Sequence, residues 1–341
     1  MRNSLYPIRE AGKYGFMDAR GEVVIEPQYV SVEAFHNGFA RVVYNDRPIP
    51  LDALGRLLLK HVFNYVGRFE EDRAPVRLVR RWGYIDRRGS LAIPVQFEAA
   101  GPFSGGLAAV QEDGYYGYID TAGHYTIEPR YRAAGPFGEG RAAACAEQLY
   151  GYLGEAGQWL VKPRFAVAFP YRDGLAAAGN TAEHWGLIDG AGDYRCPPRY
   201  LVPEDYVPGR FYEGRALVRT AAGYGYLDPT GREAIAPQYA FAGDFAEGRA
   251  PVLIDGAYGY LDPTGAVAIA AELDDAGLFS EGLAPACRDG LWGYLNTAGQ
   301  WIIAPRYQRA DAFERGLARV VAPDGRWHYL SPDGESVWQE A

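Results

Sequence analysis

Apolar and polar positions alternate along this chain in short bursts. From Leu107 it reads LAAVQEDGYYGYIDTAGHYTIEPRY. An apolar stretch at 107–110 gives way to a polar turn. A run with tyrosines two apart follows, Tyr116 and Tyr118, with Gly117 between them. After a second turn, Asp120 to Gly123, comes TIEPRY. Apolar spacing near two predicts strands rather than helices. Each such passage is therefore read as three short antiparallel strands followed by a connector.

The passage recurs along the whole chain. Its anchor is an aromatic-glycine step, found at Tyr14-Gly15, Trp82-Gly83, Tyr116-Gly117, Tyr150-Gly151, Trp185-Gly186, Tyr224-Gly225, Tyr258-Gly259 and Trp292-Gly293. Pro48-Ile49 and Trp327-His328 are degenerate copies. The second positions are 34 apart from 15 to 151, then step by 35, 39, 34, 34 and 35. Ten units thus fill residues 1–341 as a single repeat domain, with degenerate units near 39–72 and 317–341. A 34-residue period also suits helical hairpin repeats. Glycine and proline inside every unit exclude that alternative.

Turn chemistry supports the strands. A glycine closes the second turn in all ten units, including Gly55 and Gly334. A type I turn followed by a residue at positive φ joins two antiparallel strands, and glycine takes that position freely. The aspartate opening the turn, as in Asp120, Asp228 and Asp262, can accept hydrogen bonds from turn amides. A proline two residues before the third-strand aromatic, as in Pro129 before Tyr131, marks an edge strand or its end. The connector phenylalanine, as in FGEG at 137–140, is expected to pin the loop to the core.

Gly117 shares one face of its strand with Ile119, opposite the two tyrosines. Two arrangements would explain it. The first aromatic of the next unit could fill the hollow left by the glycine, or the glycine could mark a twist or bulge.

Repeated YGYID-x-x-G…I-x-P-x-Y…F-x-E-G-x-A resembles the bacterial WG-repeat family, also called KWG repeats. The resemblance covers essentially the entire chain, and units two and ten depart from it at the aromatic-glycine step. It implies a β-rich repeat protein of mostly unassigned function, often presumed to mediate interactions, with no catalytic residue to carry over. The expected fold is all-β: an open superhelical solenoid of ten three-stranded antiparallel units. A closed β-propeller-like ring is the alternative. The chain starts at a first strand and ends in a third strand, leaving nothing over to close a ring.

Composition narrows the function. A net charge of -9 argues against a general nucleic-acid backbone binder. The three cysteines are scattered and form no CxxC, so they are read as small buried hydrophobes. No signal-like h-region and no run of 18 apolar residues is found, so a cytoplasmic protein without membrane contact is expected. The five histidines form no HxH or HExxH, and the turn aspartates stand one per unit, so no metal site or cofactor is expected. Glu139, Glu247 and Glu281 could pair with aspartates as acid and base, but their regular recurrence in loops suggests scaffolding. No catalytic residue is assigned, and the chain is not expected to be an enzyme.

Two features break the repeat and are the candidate partner-binding sites. One is an arginine cluster with Arg77, Arg80, Arg81, Arg87 and Arg88, which also contains Arg68 and Arg73; acidic proteins or phosphates would suit it. The competing reading is a solvated face balanced by Glu70, Glu71, Asp72 and Asp86. The other is the longer 39-residue step, LVPEDYVPG, where Pro203 and Pro208 would stiffen a loop presenting Glu204, Asp205 and Tyr206. The expected function is a non-enzymatic scaffold binding another protein. The alternatives are an aromatic-rich glycan or cell-wall module, and an inhibitor or immunity protein for a toxin.

Overall fold

The computed structural model describes residues 4–58, 63–204 and 206–341. Among these, ten antiparallel sheets follow one another in sequence. Among the described residues, no helix is long and apolar enough to cross a membrane. Blade 4 shows the common plan. An inner strand, Ala99–Ala100, is followed by a second, Leu107–Glu112, a third, Tyr115–Asp120, and an outer one, Tyr125–Tyr131. The connector read from the sequence thus contributes a fourth, two-residue strand. Its phenylalanine does enter the core. Phe103 packs edge-on against Tyr84 of the preceding blade at 4.9 Å, and Phe137 against Tyr118 in the same way.

The ten sheets form a ring, a β-propeller with ten blades, and not the open solenoid expected from the sequence. A cavity of about 480 Å³ is bordered at once by Ser104, Pro136, Pro170 and Arg210, which lie on the inner sides of blades 4, 5, 6 and 7. The inner strands therefore surround the axis. Blade 10 closes directly onto blade 1. Tyr6, Ile8 and Met17 pack with Leu317, Tyr329 and Trp338. Arg9 donates to both carboxylate oxygens of Glu340 at 2.8 Å. Tyr14 meets Trp327 edge-on at 5.7 Å. Among the described residues, no strand is shared across this seam. Closure is made by side chains, so the lack of a spare strand did not imply an open array.

The hydrophobic core lies between blades. Leu107, Tyr118, Ile127 and Tyr131 of blade 4 form one cluster with Phe137, Ala142, Ala144 and Leu153 of blade 5. The same arrangement recurs between blades 7 and 8 and between blades 9 and 10. The third-strand tyrosines add a directed bond. Tyr84, Tyr118, Tyr226 and Tyr260 donate their hydroxyls to the carbonyls of Gly101, Gly135, Gly243 and Gly277 at the inner edge of the next blade, at 2.7–2.8 Å. Burial pushes these phenols well above the ordinary tyrosine value.

The glycine between the tyrosines answers to its own blade. A Cβ on Gly117 would lie 2.5 Å from the Ile127 carbonyl and 2.7 Å from the Pro129 nitrogen. Those atoms belong to the outer strand, where a bulge brings Tyr131 opposite Tyr116 and Ile127 opposite Tyr118. The ring of the next unit does not fill the hollow; the bulged I-x-P-x-Y backbone does. His328 stands at the same position in blade 10. There the outer strand pairs His328 with Gln339 and Tyr329 with Trp338 in unbroken register, which leaves room for a side chain.

Candidate interaction surface

The meander sorts the loops onto two faces. Inner-to-second and third-to-outer turns lie on one face. Second-to-third turns and the connectors between blades lie on the other.

On the first face most polar groups hold the ring together. The inner turn is a two-residue hairpin with both residues at positive φ, as at Glu139 (52°) and Gly140 (72°). Its acidic residue reaches the next blade's turn. Glu213 accepts the amides of Glu247 and Gly248 at 2.7 and 2.8 Å, and Glu71 those of Gly105 and Gly106 at 2.7 and 2.8 Å. Glu139 accepts from Gly174, Glu247 from Gly282 and Glu281 from Gly316. These glutamates are ties between blades, not acid-base pairs. The turn aspartates are engaged locally. Asp120 Oδ1 accepts the amides of Ala122 and His124 at 2.9 Å, and bonds to turn amides, that of His124 foremost, hold its carboxyl below the usual range. Among the described residues, no three His, Cys, Asp or Glu side chains are grouped to hold a metal ion. Cys145, Cys196 and Cys287 are free thiols and buried.

The arginine cluster does not converge. Arg80 and Arg81 stand at the second-to-third turn of blade 3, while Arg87 and Arg88 stand at its third-to-outer turn. The six-residue strand Arg81–Asp86 separates them, about 17 Å at ordinary strand rise. Arg87 is committed to the ring: it pairs with Asp72 at 2.8 Å, donates to the Asn37 carbonyl of blade 2 and covers Phe39. Arg73 donates to the Thr121 carbonyl of blade 4 at 3.1 Å. Arg77 lies over Trp82 at 5.5 Å, and Arg68 approaches Glu33 at 3.9 Å. Arg88 is exposed, as are Arg80 and Arg81; Arg81 donates to the Gln96 carbonyl at 3.0 Å.

The long step lies in the connector between blades 6 and 7. Glu204 is exposed and Asp205 falls outside the described residues. Tyr206 packs, half-buried, against the core between blades 7 and 8 rather than standing free. Val207 is the exposed apolar residue there.

Sequence reasoning missed what the second face carries. Exposed large apolar side chains recur around it: Val30, Tyr65, Val79, Tyr115, Leu149 and Phe241, with Leu78, Val207 and Leu291 beside them. Val79 is 73% exposed. A readable signal existed. The residue just before the aromatic-glycine step opens the third strand at the turn, and it is Tyr115, Leu149 and Leu291 in three units.

Comparison with known proteins places the repeat. No curated protein matches the chain. Among solved structures, a eukaryotic initiation factor aligns at 10% identity and a TM-score of 0.55, over 99% of this chain and 96% of its own. The computationally designed Ika8 protein aligns at 12% identity, TM-score 0.43, over 96% of this chain and 99% of its own. BamB from Moraxella catarrhalis aligns at 14% identity, TM-score 0.39, over 97% and 92%. At such identity the likeness to the initiation factor speaks to fold alone. The model for the WG containing repeat matches residues 14–47, 51–78, 82–116, 116–149, 150–179, 224–256, 258–292 and 292–327, most of the chain, and the protein belongs to that family.

Proposed function

We propose that the protein is a non-enzymatic scaffold that holds a partner protein against the face built from the second-to-third turns and the connectors. The observation that carries this is the recurrence on that face of exposed apolar side chains, in blade after blade, with exposed arginines beside them. Apolar groups rimmed by charge mark interaction surfaces, and arginine and tyrosine are common anchors within them. Arg80 and Arg81 supply positive charge on the same face. The opposite face also exposes apolar side chains, Leu54 and Val267 among them, but turn carboxylates there are tied to neighbouring amides. The count of aromatic residues does not itself favour a glycan site, since many tyrosines serve the seams between blades.

The test is affinity capture from native lysate with stoichiometry read by mass spectrometry. Val79→Glu with Leu149→Glu and Leu291→Glu should abolish capture of a stoichiometric partner, and Arg80→Glu with Arg81→Glu should weaken it. Leu54→Glu and Arg88→Glu, on the other face, should leave it intact. Exposed substitutions of this kind change stability little. Capture unaffected by the first two sets would overturn the assignment of the face. Retention on polysaccharide resin with no protein partner would overturn the scaffold itself.

A further inference from the structure

The inner hairpin tips of the first face are carboxylate receptors. In blades 4, 8 and 10 the two tip amides grip a glutamate of the blade before, one amide to each oxygen. Glu71 is held in this way by Gly105 and Gly106, Glu213 by Glu247 and Gly248, and Glu281 by Arg315 and Gly316.

Blade 7 has the same tip. Glu213 and Gly214 stand at φ 50° and 74°, as Glu247 and Gly248 of blade 8 stand at 52° and 71°. The blade before it carries Asp173, where blades 3, 5, 7, 8 and 9 carry glutamate. Aspartate is one methylene shorter. Asp173 bonds neither amide, and among the described residues no other carboxylate does so. Two neighbouring backbone N–H groups without an acceptor make an anion-binding concavity.

Cations stand beside this tip. The axial cavity of about 480 Å³ is bordered by Asp173, Arg172, Arg210, Phe211 and Tyr212, so the amide pair opens at its edge. Arg172 is exposed and takes the place that Ser104 and Ser280 hold in blades 4 and 9, where the hydroxyl bonds the next blade. Arg210 lies over the Tyr212 ring at 4.6 Å. Among the described residues neither guanidinium donates a hydrogen bond or forms an ion pair. Glu139 also borders the cavity, but its carboxylate is bound to the Gly174 amide. The tip of blade 5 likewise meets no glutamate, since Gly105 precedes it, yet its own arginine, Arg141, is committed to the Gly190 carbonyl.

We propose that the tip of blade 7 and the axial cavity form a binding site for a small organic dicarboxylate. One carboxylate takes the amides of Glu213 and Gly214, one to each oxygen, with Arg172 beside it. The carbon chain lies against Phe211 and Tyr212, which are half-buried. The second carboxylate meets the guanidinium of Arg210, a charge-assisted pairing for which arginine is well shaped. The cavity is of the size that holds small ligands, about 300–1,000 Å³. It lies on the face opposite to the one assigned to the partner protein, so the two readings stand or fall separately.

The whole protein is titrated by calorimetry with succinate, glutarate and adipate, which differ in span, and with butyrate, which has one carboxylate. Saturable binding of at least one dicarboxylate at one per chain is expected, with butyrate at least about tenfold weaker. Binding should slow hydrogen exchange at the amides of Glu213 and Gly214. Those of Glu247 and Gly248, already held by Glu213, should not change. Asp173→Glu supplies the carboxylate that other blades carry, at a positive φ that glutamate adopts in blades 5, 7, 8 and 9. It should abolish binding and slow the same two amides without ligand. Arg172→Gln with Arg210→Gln should weaken binding at least about tenfold, and Asp173→Asn should not weaken it. No saturable binding of any dicarboxylate, equal binding of butyrate, or unaltered binding by Asp173→Glu would each overturn the proposal. So would slowed exchange at tips other than that of blade 7.

Discussion

Gly117 has no side chain because the backbone of its own blade crosses where a Cβ would stand. The close contacts are to main-chain atoms of the outer strand, which cannot swing aside as a side-chain tip can. Gly117→Ala should therefore destabilise by about 1–3 kcal/mol, the usual cost of overpacking, despite alanine's lower backbone entropy loss. His328→Ala, at the position without a bulge opposite, should cost much less. Hydrogen exchange can place the damage. Faster exchange is expected in Tyr125–Tyr131 of the same blade, with Trp159–Phe165 of blade 5 unaffected. Damage confined to the joint with blade 5, or equal costs at the two positions, would count against the bulge. The sequence alone offered ring-in-hollow and bulge as equals, because a glycine records that space is taken and not what takes it. Yet I-x-P-x-Y was informative. The bulge sits on an outermost strand, which is where a proline without an N–H is tolerated.

At the level of the blade, the third and outer strands and their turn were legible, since each carries period-two patterning and a fixed turn glycine. The inner strand was not. Two residues, as in Ala99–Ala100, give no periodicity to read, and it formed part of an apparently irregular connector. The glutamates of the inner turns were seen to recur, but their partners lie about one unit away and only stacking of blades brings them together. Glu213 shows the consequence. Its carboxylate bridges both amides of the next turn from an exposed position. Glu213→Ala should weaken the joint between blades 7 and 8 by about 1 kcal/mol, a modest value for a charge-assisted bond open to solvent. The substitution should raise exchange at the amides of Glu247 and Gly248 and leave those of Gly105 and Gly106, which Glu71 holds, unchanged. A uniform rise around the ring would mean that the carboxylate acts on global stability rather than on one joint.

For the whole molecule, what matters is that nine seams join blades linked by the chain, while the tenth joins its ends without such a link. That seam has its own chemistry. The second-strand position held by Tyr6, opposite Met17, is held by Ala108 opposite Ile119 in blade 4 and by Ala142 opposite Leu153 in blade 5. Tyr6 is thus a large residue where these neighbours carry alanine. Its ring covers Tyr329, and its hydroxyl donates to the Arg315 carbonyl of blade 10. Closure was invisible to strand counting because it depends on side chains, on Tyr6 covering Tyr329 and on Arg9 meeting Glu340. Tyr6→Ala restores the alanine of the other blades but leaves the seam without its plug, at a cost of about 3–5 kcal/mol for a buried aromatic. The expected result is local. Exchange should rise in Tyr6–Glu10 and Ser336–Gln339, and small-angle scattering should show a larger radius as the ring opens. Phe137→Ala removes a comparable ring from the seam between blades 4 and 5, where the chain still tethers the two sheets, so it should loosen that joint without changing the radius. If both variants kept the radius of the parent, closure would rest on Arg9, Glu340 and the remaining apolar contacts, and Tyr6 would be one contributor among equals.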